Sequence, residues 1–165
     1  MPLEEGHEMT FRAGLGFDAH RFAEGRALVL GTIAVDHPHG LAGHSDGDVL
    51  AHAVVDAILG AAGLGDIGTH FPAGDDRWKD ADSALFLERA AAAVASAGYR
   101  VASVDATVIC EAPRIDPYRD KIETALTGAL GGGAVSVKAT TTDGMGFTGR
   151  GEGIAAMAVA LLEAV

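Results

Sequence analysis

SDGDVLAHAVVDAILGAA, residues 45–62, carries the strongest structural signal in the chain. From Val49 to Leu59 every residue except His52 and Asp56 is apolar. A helix this apolar on all sides belongs in a protein interior rather than on a surface. Ser45 is a good N-cap, and Asp48 stands three residues on, near the capping-box position. Asp48, His52 and Asp56 follow at i, i+4 and i+8, which places them on one helical stripe. Two acids and a histidine on a buried stripe are costly unless they are paired or ligated. Two readings follow. Either Asp48 caps the helix and His52 is hydrogen-bonded in the core, or His52 is a metal ligand oriented by Asp48 and Asp56 from behind.

Working outward, residues 11–17 and 27–36 read as short strands, with Gly31 as a turn or bulge inside the second. Residues 63–80 hold Gly, Pro and Asp clusters and read as a long loop. Asp82 or Ser83 caps a second helix, 84–97, closed by Gly98. Residues 100–110 form a β-rich run, and Pro117 opens a third helix ending near Gly131. Residues 134–140 are another strand, followed by a Gly-rich loop over 141–153. The last segment, 154–165, suits strand or helix equally by pattern. Strands alternating with helices predict an α/β or α+β layered fold.

The chain has 165 residues, enough for one domain with a real core. We expect a flexible extension over residues 1–10 and a single domain over 11–165. Apolar runs are too short for a membrane span, and the N-terminus lacks a signal-peptide pattern, so a cytoplasmic location is expected. A net charge of −11 argues against nucleic-acid binding. It also requires a local offset, such as a metal, if the substrate is anionic. The single cysteine, Cys110, excludes an internal disulfide.

Several clusters carry chemistry. Asp18 and His20, flanking Ala19, share one face of a strand and could give two ligands to one Zn²⁺; a surface hydrogen bond is the plainer reading. With His52 they would complete three ligands and an open fourth position, the pattern of catalytic zinc. His44 and Ser45 precede a helix N-terminus, which favours anions. Thr140, Thr141, Thr142 and Asp143 offer hydroxyls and an acid suited to phosphate with a divalent ion, although Thr runs are also ordinary strand residues. Phe147, Arg150 and Glu152 sit in a Gly-rich stretch that reads as a loop or as an interface with a charged pair.

The strings GFDAHRF, GHSDGDVLAHAVVDAILGAAGLGDIGTHFP, ADS, TVICEAPRI and VKATTTDGMGFTGRGEGIA occur in this order. In them the chain resembles the 2-C-methyl-D-erythritol 2,4-cyclodiphosphate synthase family of the non-mevalonate isoprenoid pathway, over roughly residues 12–163. The length is similar to that of the stand-alone enzyme rather than of a fusion.

The resemblance implies an α+β fold, a mixed sheet with helices packed on one face, assembling as a homotrimer with active sites between subunits. It makes the last segment a strand, 154–162. Asp18, His20 and His52 become the zinc ligands, and Asp143 the ligand of a second divalent cation, Mg²⁺ or Mn²⁺. Phosphate contacts fall on His44, Ser45, Thr140 and Thr141, with Thr142 alongside, and His44 and Thr141 become the catalytic donors. Ribose contacts fall on Asp66, Ile67 and Gly68. Phe71, Pro72, Ala73, Gly74 and Asp75 match the loop over the methylerythritol part. Cytosine falls on the segment Cys110, Glu111, Ala112, Pro113, Arg114, Ile115 and Asp116, mainly through backbone.

The implied reaction converts 4-diphosphocytidyl-2-C-methyl-D-erythritol 2-phosphate to the cyclic diphosphate with release of CMP. Phe147 and Arg150 would line a cavity on the threefold axis that takes an isoprenoid diphosphate; an Arg150–Glu152 ion pair is the alternative there. Two departures stand out: Asp143 where many members carry Glu, and Ala73 where Asp often follows Phe-Pro. Metal-assisted hydrolysis and a trimeric isoprenoid-diphosphate sensor are the rival functions.

Overall fold

The computed structural model describes residues 10–165, so the expected extension lies, apart from Thr10, outside the described residues. The long first strand, β1 (Phe11–Ala23), alternates its side chains. Phe11, Leu15 and Phe17 lie on an exposed face, while Gly14, Gly16, Asp18 and His20 turn inward. β2 (Leu28–Leu30) and β3 (Ile33–Val35) form a separate hairpin rather than one strand. Gly31 and Thr32 sit at its turn with φ of 57° and 68°, the left-handed pair that a tight hairpin demands. β4 (Gly40–Leu41) pairs with the end of β1.

The central helix α1 runs Val49–Ala62. Its cap is Asp48, which accepts from the Ala51 amide, and not Ser45. The Ser45 hydroxyl is instead directed at His52. Asp48 is fully buried and also accepts from the amides of Gly31 (2.8 Å) and Thr32 (2.7 Å) and from the Ser83 hydroxyl (2.7 Å). One carboxylate therefore ties the hairpin turn, the start of α1 and the start of α3 (Ser83–Ser96). It also fixes Thr32, a β-branched residue in a conformation such residues avoid. Burial pushes the Asp48 carboxyl above its ordinary range, with the bonds from Ala51, Ser83 and Thr32 opposing.

The span expected as a long loop holds one turn of α-helix, α2 (Ile67–His70), capped by Asp66, and a 3₁₀ turn at Asp76–Trp78. β5 (Tyr99–Ile109) follows α3. Pro117 lies in a 3₁₀ turn just before α4 (Arg119–Ala129), because its missing N–H is harmless there. β6 (Ala134–Thr140) runs parallel to β5. A single turn, α5 (Gly146–Gly149), interrupts the Gly-rich loop. The closing segment is a strand, β7 (Gly153–Ala164), inserted between β1 and β5 and antiparallel to both.

The result is a mixed sheet in the order β4-β1-β7-β5-β6 with α1, α3 and α4 packed on one face. No helix among the described residues is long and apolar enough to cross a membrane. Contact between α1 and the sheet is unusually close. An ideal Cβ on Gly14 would lie 2.0 Å from the Ala57 carbonyl, and one on Gly16 1.8 Å from that of Ala53. Ala156, Ala158 and Ala160 of β7 lie buried beside them. Only residues this small let a helix lie so low on a sheet.

The variant Gly16→Ala tests this contact. It forces α1 upward and should destabilise the fold by about 1–3 kcal/mol or more, the usual range for overpacking. Gly128→Ala, where a Cβ meets nothing within 4 Å, should be neutral or stabilise by about 0.5–1 kcal/mol. Thermal unfolding of both variants checks the pair; equal effects would show that the close approach is not limiting.

Candidate functional site

The alternation of β1 aims Asp18 and His20 at α1, and the helix returns His52 toward them. Asp18 Oδ2 lies 2.8 Å from His20 Nε2 and 3.1 Å from His52 Nδ1. The two imidazole nitrogens are 3.2 Å apart. These three residues form the one group of potential metal ligands among the described residues. Ligands at zinc-like bond lengths of about 2.0–2.1 Å around a tetrahedron lie roughly 3.3 Å from one another. The donor set and its spacing therefore fit a divalent metal.

The other atoms of the cluster are also engaged. Asp18 Oδ1 accepts from the Ala19 amide. His52 Nε2 is 3.1 Å from the Ser45 hydroxyl, which leaves Nδ1 facing the cluster. The partner that orients His52 is thus Ser45, not Asp48 or Asp56. Asp48 faces the backbone of the hairpin, and Asp56 accepts from the Ile67 amide at 2.8 Å. Burial pulls the Asp18 carboxyl upward, but hydrogen bonds and charge from His20 and His52 outweigh it and leave it at about 2. Burial opposes the His52 imidazolium, yet the bond to Asp18 and the charges of Asp48 and Asp18 raise its pKa above the ordinary value.

A cavity of about 260 Å³ opens over this cluster. It gathers His44, Ser45, Ile67, Gly68, Phe71 and Ala73 with the three candidate ligands. Asp66 stays outside the lining as the cap of α2. Asp75 is held by Arg77, while its carbonyl meets His44 Nε2 at 3.3 Å. Trp78 and Phe86 complete the wall, packed with Phe71 at ring separations of 4.7–5.8 Å. Sequence reading missed both, because lone aromatics carry no spacing signal. It also missed Arg26, whose guanidinium grips the carbonyls of Gly43 and Ser45 from a distant turn.

A second cavity, about 220 Å³, lies where β5 and β6 end. Cys110, Glu111, Pro113, Arg114, Ile115 and Asp116 line it with Thr140 and Thr141. The Cys110 thiol is pushed up to about 11 by burial and by Glu111, so it is no nucleophile. Asp18 and Val108 face the same β7 residue, Ala156, so both cavities lie toward one end of the sheet. Three strand spacings, roughly 14 Å, separate β1 from β6. A third cavity, about 650 Å³, is lined by residues 19–22, Phe147, Glu152 and Gly153. Arg150 is not in that lining and is paired with Glu152 at 2.9 Å.

The sequence profile of the YgbB family matches residues 11–163. A 2-C-methyl-D-erythritol 2,4-cyclodiphosphate synthase from Moorella thermoacetica is 56% identical, across 92% of this chain and 94% of its own length. A bifunctional IspD/IspF enzyme of Erythrobacter litoralis is 57% identical, and there the chain spans only 40% of the relative. Among solved structures, IspF of Plasmodium falciparum in complex with CDP superposes with a TM-score of 0.82 at 32% identity, over 96% of this chain and 99% of that one.

Ser45→Ala should weaken divalent-metal binding by about 10–100-fold, the usual loss when a ligand's supporting partner is removed. Because its surroundings make His52 more basic than an ordinary histidine, a metal there competes with a proton up to a higher pH than at a free imidazole. Calorimetry in buffers of differing ionisation heat should therefore show proton release, with affinity falling as pH drops. Unchanged affinity in Ser45→Ala, or no proton release, would count against His52 as a ligand.

Proposed function

The chain belongs to the YgbB family, and on that premise we propose that it converts 4-diphosphocytidyl-2-C-methyl-D-erythritol 2-phosphate to 2-C-methyl-D-erythritol 2,4-cyclodiphosphate, releasing CMP. The observation that carries this reading is the convergence of Asp18, His20 and His52 within 3.2 Å under a cavity that also holds His44 and Ser45. An oxygen of the 2-phosphate attacks the β-phosphorus. The bond from that phosphorus to the oxygen bridging the α-phosphate breaks, and CMP departs with the electron pair. No protein atom becomes covalently attached.

The work of the chain is positioning and charge neutralisation. Zn²⁺ on Asp18, His20 and His52, and Mg²⁺ or Mn²⁺ at Asp143, would supply Lewis acidity and positive charge to the phosphates. His44, standing beside the cluster, donates to the oxygens on which charge develops. Arg26 supports it by fixing the carbonyls on either side of the His44 backbone. Ser45 keeps His52 in orientation. Phe71, Trp78 and Phe86 shield the cavity from water, which disfavours hydrolysis. Gly68 and Ile67 receive the ribose, and the loop from Cys110 to Asp116 receives cytosine, with Thr140, Thr141 and Thr142 on the phosphates. Ala73 adds a small apolar surface where Pro72, Gly74 and Asp75 continue the loop.

We assign the described domain, 11–165, to a cytoplasmic homotrimer. Support comes from the exposed apolar face of β1 and β7, where Phe11, Leu15, Phe17, Val159 and Leu161 meet solvent in the single chain. It comes also from the division of the site into two cavities, which a neighbour's β5–β6 end would complete. The third cavity, walled by Phe147, is assigned to an isoprenoid diphosphate near the threefold axis. Arg150 must then exchange Glu152 for the ligand phosphate. Calorimetry with geranyl diphosphate checks this at one molecule per trimer.

Phosphorus NMR with the cytidyl substrate should show the cyclic diphosphate and CMP, and chelator should abolish both. A linear bisphosphate in place of the ring would establish hydrolysis instead. Mixed trimers of Asp18→Ala and Thr141→Ala chains, each inactive alone, should regain part of the activity. No recovery in verified mixed trimers would place the whole site within one chain.

A further inference from the structure

Glu111 lies in the loop assigned to cytosine, where recognition rests mainly on backbone. Its side chain nevertheless has defined partners. β5 and β6 are parallel neighbours, so the loops that leave their C-terminal ends run side by side. Glu111 Oε1 crosses between them and accepts from the amides of Thr142 (3.2 Å) and Gly144 (3.3 Å). Between these amides stands Asp143, at φ 52°, followed by Gly144 at 76°. Amides leading into such a tight turn can point toward one place and make a concave backbone receptor for an acceptor oxygen. Here a carboxylate of the chain itself fills it.

A non-glycine residue in the left-handed region persists where its surroundings hold it there. The turn at Asp143 is closed by the Met145 amide donating to the Thr142 carbonyl (3.0 Å), with a longer contact from the Asp143 amide to Thr141 Oγ1 (3.4 Å). The Thr142 hydroxyl adds ties to the Met145 carbonyl (2.6 Å) and to the Thr148 hydroxyl (2.8 Å). Glu111 is the side chain that ties this turn to the loop after β5. The Asp143 carboxylate is exposed, with Thr141 Oγ1 at 3.5 Å, so its direction is set by the backbone beneath it.

We propose that Glu111 is a positioning residue, which fills the backbone nest at Thr142–Gly144 and so holds Thr141 and Asp143 in the orientation that receives a diphosphate with its divalent cation. The inference rests on the reading of Asp143 as a cation ligand. It joins the base loop to the phosphate loop through one side chain. The acceptor oxygen and its reach matter here, rather than the negative charge.

That distinction sets the experiment. Glu111→Gln removes the charge and keeps an acceptor at the same reach. Glu111→Asp keeps the charge and withdraws the acceptor by one methylene. The readouts are amide hydrogen exchange at Thr142 and Gly144, and Mn²⁺ binding in the presence of CDP by electron paramagnetic resonance, both on the metal-loaded protein. Glu111→Gln should match wild type in both. Glu111→Asp and Glu111→Ala should lose protection at the two amides and bind Mn²⁺ about 10–100-fold more weakly, the range seen when a ligand's support is lost. Should the alanine variant fail to fold, the Gln and Asp variants still decide the matter.

The reverse order, with Asp like wild type and Gln impaired, would assign Glu111 an electrostatic role and overturn the proposal. So would wild-type behaviour in all three variants. Equal Mn²⁺ binding by wild type and Asp143→Ala would overturn the cation reading itself, and the exchange data would tell that failure apart from a failure of the nest.

Discussion

The structure depends on how low α1 lies on the sheet. Glycine at 14 and 16 removes the side chains that would otherwise strike the carbonyls of Ala57 and Ala53. Native interiors have no slack to absorb such a collision. Two residues beyond Gly16 the same face of β1 presents Asp18, then His20. One residue before Ala53 the helix presents His52. The separation of strand and helix axes therefore sets the distance between ligand atoms directly. A helix raised by even an ångström would open a cluster whose members now lie within 3.2 Å.

Asp48 fixes the same helix along its other degrees of freedom. Its oxygens meet three amides and a hydroxyl drawn from the hairpin turn, α1 and α3. An unpaired carboxylate so deeply buried would be prohibitive, whereas one saturated with donors acts as a rivet. Asp46 adds a neighbouring brace by accepting from the amides of Asp48 and Ser83. The His44–Ser45 segment is thus held from below by acids and from outside by Arg26.

Much of this was legible in the sequence. The apolar run 49–59 announced a buried helix; Asp18, His20 and His52 stood as possible metal ligands beside plainer readings, the resemblance made them one set, and the geometry brings them together. What the sequence hid was direction. Spacing placed Asp48, His52 and Asp56 on one stripe, but a stripe does not say what each residue meets on the neighbouring layer. Asp48 meets backbone, Asp56 meets the Ile67 amide, and the partner of His52 is Ser45 from outside the helix. The start of α1 was misplaced for the same reason, since Ser45 is an equally good cap by type and is drawn away by a tertiary contact. The hairpin at Gly31 read as one interrupted strand because Thr32, which turns with it, is a strand-former held in the turn by Asp48 at its amide and by the β2–β3 pairing. The closing strand was ambiguous by pattern, since alternate alanines suit either state, and only the resemblance settled its type in advance.

The excess of acidic residues then finds a physical account in where those acids point. Around the site Asp46 and Asp48 accept from backbone and from Ser83, Asp56 from Ile67, Asp66 from Thr69, and Glu111 from Thr142 and Gly144. Asp75 is paired with Arg77. These carboxylates act as internal acceptors that shape loops, and donors already blunt their repulsion toward a phosphate. Asp18 and Asp143 differ. The first faces two imidazoles, and the second faces outward beside a hydroxyl. Under the proposed function, a chain with a net charge of −11 accommodates a diphosphate because most of its local acids are turned to donors of the chain, while Asp18 and Asp143 are the two proposed to face cations.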